Sequence, residues 1–202
     1  MKQRFLLVLT TTLLTVSCAT STPQALPTPG AGEALYVVDP SHTFPHFEIS
    51  HMGFSNHHGR FDKTTGWILL DRATRSGSME IKIDADSIDT GDAKLEKRLR
   101  DEDFFFTERY PTITFRSTRM KFDGERLVTV EGELSIRDAT KPVTLNVTAF
   151  RCGPHPVPVM KSELCGANAE TTINRQDFGV SAYPGLIGNR VRLTLQIEAE
   201  KR

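Results

Sequence analysis

The 202-residue chain has no excess of charge of either sign, because 25 lysine and arginine residues are balanced by 25 aspartate and glutamate residues. A protein that binds nucleic-acid phosphates needs a basic surface, so this balance argues against a nucleic-acid partner. The chain also has no G-x-S-x-G, H-E-x-x-H or glycine-rich phosphate-binding motif, and no pair of carboxylates at catalytic spacing. We therefore predict that the protein is not an enzyme.

Long apolar runs are absent except near the N-terminus, where residues 5–16 follow two basic residues. This run is too short to span a bilayer and its flank is typical of a targeting segment, so residues 1–17 are predicted to be a signal peptide. Residues 18–34 are rich in Thr, Pro, Ala, Ser and Gly, which predicts a flexible linker. Residues 35–202 remain as one folded domain.

Cysteine is scarce, with three in the chain. Cys18 follows Thr15-Val16-Ser17, which resembles a bacterial lipobox, although threonine stands where that motif usually has leucine. We predict that Cys18 is lipidated and anchors a periplasmic protein to a membrane, in particular the outer membrane. An ordinary signal peptide cut after Ala19, which would release the protein into the periplasm, is the alternative.

Cys152 and Cys165 are the two remaining cysteines. In an exported protein such a pair predicts a disulfide, and closing the short loop between them would stabilise the fold by about 3 kcal/mol on the chain-entropy account. A metal site formed by the pair with His155 is the alternative, but the loop offers no fourth ligand.

The pattern on which the fold depends lies in residues 127–150, where apolar and polar residues alternate. One face of the first half carries Val128, Val130, Gly132, Leu134 and Ile136. After the turn-forming residues 138–142, the same face is continued by Val143, Leu145, Val147 and Ala149. Alternation with a period of two predicts a long antiparallel hairpin with one buried face, and such a hairpin needs further strands to cover that face.

The rest of the domain supplies those strands. Alternation recurs in residues 78–85, 112–122, 167–173 and 191–199, whereas residues 92–101 have the spacing of a single short helix. A sheet of about eight strands with short connections buries its apolar face and pairs its edge strands when it closes into a barrel. We therefore predict an all-β fold, a closed antiparallel up-and-down β-barrel with one short helix.

Small residues at inward positions bear on whether the barrel is hollow. They are Ala85, Gly132, Ala149, Ala167, Ala169 and Ala199. A solid interior would carry bulkier side chains, so the pattern favours a cavity for one long apolar guest. A barrel filled by its own side chains, which would suit an envelope stress or scaffold protein, is the alternative. Phe104, Phe105 and Phe106, after the helix, either plug a barrel end or contact the guest.

The histidines are clustered, since five of the six lie between His42 and His58. A strand and a loop can bring three such side chains together, so a histidine-dependent metal-binding protein is a further alternative. Polar positions at the mouth of a barrel are the simpler interpretation of the same residues.

A series of motifs resembles the YceI-like family of bacterial periplasmic proteins. They are residues 39–42 (DPSH), 47–53 (FEISHMG), 59–61 (GRF), 87–90 (SIDT), 99–105 (LRDEDFF), 110–115 (YPTITF), 132–136 (GELSI), 140–145 (TKPVTL) and 174–179 (NRQDFG). The resemblance covers residues 35–200 and implies a lipocalin-like barrel holding an amphiphile with an isoprenoid tail, such as a polyprenyl phosphate or a quinone. No other cofactor is implied, and a homodimer stays open. The lipid would be stored, transported or protected in the cell envelope.

Inward strand positions are predicted to bind the isoprenoid lipid. They are Phe47, Ile49, His51, Trp67, Ile81, Ile83, Phe115, Val130, Leu134, Leu145, Val147, Leu193 and Leu195. The head group is expected at the mouth of the barrel, near His51, Arg60 or Arg100. No metal-ligating and no catalytic residue is predicted.

Overall fold

A computed structural model of the protein describes residues 25–157 and 159–202. The predicted signal peptide, Cys18 and part of the predicted linker lie outside these residues. The described chain forms eleven strands and one α-helix, α1 (Ala93–Arg100). The strands are β1 (Ala34–Val38), β2 (His46–His51), β3 (Ser55–Phe61), β4 (Thr64–Asp71), β5 (Ser76–Asp84), β6 (Ile88–Asp89), β7 (Thr112–Asp123), β8 (Arg126–Ile136), β9 (Ala139–Pro154), β10 (Glu163–Asn174) and β11 (Ile187–Lys201).

Eight of these strands form a closed antiparallel ring. Around the ring the order is β1, β4, β5, β7, β8, β9, β10 and β11, and the pairing of β1 with β11 closes it. The predicted barrel with one short helix is therefore confirmed, and it is consistent with a lipocalin-like fold. The remaining strands, β2, β3 and β6, extend the sheet from β11. Strand β11 is long enough to pair with β2 at residues 187–194 and with β1 at residues 199–201.

The register of β11 defines two ends of the barrel. Ile187 at its start lies opposite His51 at the end of β2, whereas Lys201 lies opposite Tyr36 near the start of β1. At a rise of about 3.3 Å per residue, these two positions are roughly 45 Å apart along the strand. We call the end at Ile187 the open end and the end at Lys201 the closed end.

A small core cluster fills the closed end. Its buried members are Tyr36, Leu70, Cys165 and Ala199. The rings of Phe122 and Phe150 pack against it edge to face, with 6.3 Å between their centroids. The Tyr36 hydroxyl donates a hydrogen bond of 2.8 Å to Glu163. Burial first, and then this bond, raise the pKa of Tyr36 to about 12, so the hydroxyl stays neutral and keeps its partner.

The predicted disulfide is confirmed. Cys152 of β9 and Cys165 of β10 are direct cross-strand partners near the closed end, and their sulfurs are bonded. The alternative metal site is excluded because the two sulfur atoms are bonded to each other and are not free to bind a metal. The third proposed ligand, His155, has its Nε2 atom 3.8 Å from the Glu200 carboxylate.

Two β-bulges within residues 127–150 change which of these residues face inward. Val128 is the extra residue in the pairing of β8 with β7, and Leu127 lines the interior in its place. Thr148 is the extra residue in the pairing of β9 with β10, so that Phe150 packs on the core and Ala149 is exposed. The inward placement of Val128 and Ala149 is therefore wrong, because strict alternation does not continue through a bulge.

The turn between β8 and β9 is shorter than predicted. Arg137 and Asp138 form it alone, and residues 139–142 already pair with β8. Arg137 has a φ of 57°, in the left-handed region that tight hairpin turns favour. Pro142 is tolerated inside β9 because the pairing of β9 with β10 begins only at Asn146, so its missing N–H removes no bond to β10.

The small inward residues do not all leave open space. A Cβ atom built on Gly132 would lie 2.5 Å from the ring of Phe115 and 2.4 Å from the backbone oxygen of Arg116. The aromatic ring therefore occupies the room that the glycine leaves. The members of the set that do line the interior are Ala167 and Ala169.

Helix α1 lies within the predicted residues 92–101 and begins after a cap on Asp92. The Asp92 carboxylate accepts hydrogen bonds from the backbone amides of Lys94 and Leu95. Leu95 and Leu99 lie one turn apart and both face the barrel interior. Among the residues that the structure describes, no helix combines the length and the apolar character needed to cross a membrane.

Replacing both disulfide cysteines, in a variant with Cys152→Ala and Cys165→Ala, is expected to lower the free energy of unfolding by about 3 kcal/mol. The unfolded chain regains the freedom of the loop that joins two residues 13 apart in sequence. Urea unfolding followed by circular dichroism measures the loss. Wild-type protein unfolded under reducing conditions is the control, and an unchanged free energy in both samples would contradict the prediction.

Gly132→Ala is expected to destabilise the fold by about 1–3 kcal/mol, because the new Cβ would meet backbone that cannot move aside. Gly153→Ala, on β9, is the matched control, since a Cβ there meets no atom within 4 Å. Thermal unfolding of both variants compares them. Equal midpoints for the two would show that the contact of Phe115 with Gly132 does not matter.

Candidate functional site

The barrel contains a cavity of about 460 Å³, a volume typical of small-molecule sites. Its wall is built from strands β2 to β5, β7 to β11, helix α1 and the loop of residues 178–187. Apolar side chains dominate this wall because each strand turns alternate residues inward. Since the core cluster fills the closed end, the cavity reaches the surface at the open end, where Met52 and Leu186 are both lining residues and exposed.

The structure brings the predicted lipid-binding residues together with one exception. The residues that line the cavity are Phe47, Ile49, His51, Ile81, Ile83, Phe115, Val130, Leu134, Leu145, Val147, Leu193 and Leu195. They come from six different strands, so their convergence depends on closure of the barrel. Their contact with a lipid stays a prediction.

Trp67 is the exception, and its inward placement is corrected. On β4 the cavity is lined by Thr64, and Ile68 packs on the core, so Trp67 lies on the other face of the strand. Its cross-strand partner is Glu80, which accepts a hydrogen bond of 2.6 Å from Arg116 Nε. The sequence run GWILL is apolar on both faces of the strand, so its pattern does not show which of its residues face inward.

A lid of aromatic side chains covers part of the open end. Phe105 meets Phe61 edge to face, with 5.6 Å between centroids, and the rings of Phe104 and Tyr183 lie 6.1 Å apart. Arg98 of α1 donates a hydrogen bond of 3.1 Å to the Tyr183 hydroxyl. Phe104 and Phe105 both line the cavity, so the aromatic run after the helix plugs this end and at the same time forms a wall of the site.

Arg175 organises the loop that completes the open end, and sequence reasoning assigned it no individual role. The side chain is buried, and its guanidinium donates hydrogen bonds to the carbonyl oxygens of Val180 (2.7 Å), Ala182 (2.8 Å), Gly188 (2.8 Å) and Ile187 (3.1 Å). Burial lowers the pKa of Arg175. Four carbonyl dipoles replace its hydration, and no ion pair to it occurs in the described part of the chain.

The polar side chains of the wall are basic or uncharged. The side chains that line the cavity in this way belong to His46, His51, His57, His58, Arg98, Arg175, Gln196, Thr43, Thr64 and Thr90. No aspartate or glutamate lines the cavity among the described residues. The imidazoles of His51 and His57 stack, with 4.2 Å between centroids. Thr64 is fully buried, and its hydroxyl has no hydrogen-bond partner within the described residues.

The two arginines expected at the head group lie elsewhere. Arg60 pairs with Asp62 at 2.8 Å, and Arg100 donates hydrogen bonds to the carbonyl oxygens of Asp86 (2.9 Å) and Ile88 (3.0 Å). Neither lines the cavity. Both are held by neighbouring loop atoms that sequence spacing does not reveal.

The clustered histidines do not converge on one point. In the described chain, one group of potential ligand atoms within 4.8 Å of one another contains a histidine, and it consists of Asp39, His42 and Glu198. His42 Nδ1 lies 2.6 Å from the Asp39 carboxylate, and this hydrogen bond raises the pKa of His42. The other histidines are spread along β2 and β3, so their placement does not support a metal site with several imidazole ligands.

Comparison with known proteins identifies relatives over the whole barrel. A model of the YceI-like domain matches residues 36–199. A UPF0312 protein of Pseudomonas putida (strain W619) is 33% identical over 178 residues, which are 85% of this chain and 91% of that protein. The protein named YceI of Escherichia coli O157:H7 is 33% identical over 158 residues, 78% of this chain and 81% of that protein.

Solved structures share the fold. BcnA of Burkholderia cenocepacia superposes with a TM-score of 0.68 at 22% identity, covering 80% of this chain and 98% of that one. A polyisoprenoid binding domain from Saccharophagus degradans, implicated in plant cell wall breakdown, gives a TM-score of 0.60 at 20% identity, covering 83% and 98%. Identities this low establish the common architecture alone.

Arg175→Met is expected to lower the free energy of unfolding by about 3 kcal/mol, because it leaves four carbonyl groups without their charged donor. The amides of residues 180–188 should lose protection in hydrogen exchange at the same time. Arg192→Met is the matched control, since Arg192 is exposed on β11 and pairs with Glu170 at the surface; its loss should cost much less, because exposed ion pairs contribute little to stability. Unchanged protection of the loop in the Arg175 variant would contradict the role assigned to Arg175.

Proposed function

The chain belongs to the YceI-like domain family, and we propose that its barrel binds one amphiphilic isoprenoid lipid in the apolar cavity. The observation that carries the proposal is the continuous apolar wall, closed at one end of the barrel and open at the other. A water-insoluble tail gains most from a site of this shape, because each CH₂ group removed from water contributes about 0.8 kcal/mol.

The polar lining supports a neutral or acidic head group. Imidazoles and hydroxyls can donate hydrogen bonds to phosphate or quinone oxygens, whereas a cationic head would find no carboxylate among the described lining residues. A polyprenyl phosphate or an isoprenoid quinone therefore fits the site better than a cationic amphiphile. The buried and unpartnered hydroxyl of Thr64 offers a further position for a ligand oxygen.

The relatives support the same ligand class. The structurally similar domain of Saccharophagus degradans is described as polyisoprenoid binding, and we extend that property to this chain on the basis of its cavity. Lipidation of Cys18 would hold the barrel at a membrane of the cell envelope, where it would store, transport or protect the lipid. The proposal requires no cofactor and no catalytic residue.

A barrel filled by its own side chains, which would suit a scaffold protein, does not agree with the cavity at Val130, Leu145 and Leu193. Among the described residues, the histidines of β2 and β3 likewise take part in no group of three converging ligand atoms. We therefore propose no second function.

Val147→Trp is expected to reduce bound isoprenoid to less than about a tenth of the wild-type level, because the indole would fill space that the tail needs. Asn146→Trp is the matched control, since the neighbouring residue of the same strand is exposed and points away from the cavity. Native mass spectrometry of protein purified without detergent, after incubation with the polyprenol solanesol, measures occupancy.

Equal occupancy in the two tryptophan variants would place the lipid outside the cavity. A wild-type protein that carries no lipid from its producing cell and takes up no solanesol would overturn the proposed function altogether.

A further inference from the structure

Two loops meet at the open end and expose large apolar side chains. The turn between β2 and β3 exposes Met52 (49%) and Phe54 (93%), and the loop before β11 exposes Tyr183 (46%) and Leu186 (53%). We call these four residues the apolar rim. Monomeric proteins rarely group exposed side chains of this size without a use for them, and the rim surrounds the point where the cavity reaches the surface.

The two loops of the apolar rim are joined by backbone hydrogen bonds. The Met52 amide donates a hydrogen bond of 2.7 Å to the Leu186 carbonyl, which joins the two loops. Each loop turns through residues with positive φ, among them Met52 (53°) and Tyr183 (52°). The bond from the Phe54 amide to the His51 carbonyl, at 3.1 Å, closes the first turn. The exposure of Phe54 therefore follows from a defined backbone.

The apolar rim is continuous with the cavity. Met52, Tyr183 and Leu186 are exposed and also line the cavity wall. A tail that left the cavity here would pass over these side chains. An apolar tail crosses into water at a high cost in free energy, so exchange is fast only where the rim touches another apolar phase.

The charges around the apolar rim suit a bilayer surface. Residues 49–61 and 178–197 contain no aspartate or glutamate, whereas their basic residues are His51, His57, His58, Arg60, Arg190 and Arg192. The nearby carboxylates of Asp101 and Asp103 both pair with Arg98, which donates a hydrogen bond to the Tyr183 hydroxyl. These two loops therefore bring no carboxylate against the anionic phospholipids of a bilayer, and the phospholipids attract the cationic groups of the loops. The pattern of apolar tips beside basic side chains is typical of surfaces that lie in the membrane interface.

From these observations we propose that the apolar rim docks on a phospholipid bilayer and delivers the open end of the cavity to it. This inference rests on the proposed function, because it gives the route by which the isoprenoid enters and leaves. Phe54 would insert first, since it is the most exposed of the four and does not line the cavity.

Phe54→Asp tests the docking of the apolar rim. Every protein is the full chain carrying Cys18→Ser, so that no lipid attached to that residue binds the vesicles. The matched control is Val159→Asp, because Val159 is 82% exposed in the disulfide loop at the closed end. Phe54→Leu, which keeps an apolar side chain, is the conservative variant. Vesicles contain phosphatidylethanolamine and phosphatidylglycerol.

Phe54→Asp is expected to weaken co-sedimentation with vesicles and to slow the uptake of solanesol from them, each by about tenfold. Uptake of the short isoprenoid farnesol from aqueous solution should not change, because the cavity is intact. Val159→Asp and Phe54→Leu should behave as the parent protein. Unchanged vesicle binding and solanesol uptake by Phe54→Asp would overturn the proposal.

Two further outcomes separate this inference from others. If no protein binds farnesol, the proposed function is overturned. Co-sedimentation with vesicles is measured without isoprenoid, so its result still decides whether the apolar rim docks on a bilayer. If Phe54→Asp converts a dimer into a monomer, as sedimentation velocity would show, and leaves vesicle binding unchanged, the apolar rim joins two copies of the chain and the bilayer proposal is overturned.

Discussion

The pairing of β1 with β11 is the constraint on which the rest of the structure depends. It joins the two ends of the ring, so each ring strand has a partner strand on both sides and the apolar faces of the ring strands turn toward one interior. Without it, Val130 on β8 and Leu193 on β11 would lie on distant parts of an open sheet. The cavity wall is therefore a consequence of closure more than of any single residue.

Closure alone would give a tube with two equal ends, and side chains outside the alternating pattern make the ends different. The closed end is filled by Tyr36 and Phe150 with their neighbours. At the open end, Arg175 holds the loop before β11 by its backbone carbonyls, and the aromatic pair Phe104 and Tyr183 covers part of the opening. This difference decides where a guest can enter.

Alternation predicted most of the site because a strand with one buried face repeats every two residues, and that period can be read from the chain alone. It placed Ile81, Leu145 and Leu193 on the interior before any register was known. It failed where the period is broken or ambiguous. Val128 is the extra residue of a bulge, and Trp67 lies in a run that is apolar on both faces.

The sequence by itself determined the fold class, the disulfide and the apolar character of the interior, because each depends on local periodicity or on the count of a reactive residue. Only the tertiary structure decided which end is open, that Phe115 fills the space over Gly132, and that Arg175 serves the loop of residues 180–188. Those features depend on contacts between segments far apart in the chain. Their geometry is set by strand register and bulges, which no local pattern encodes.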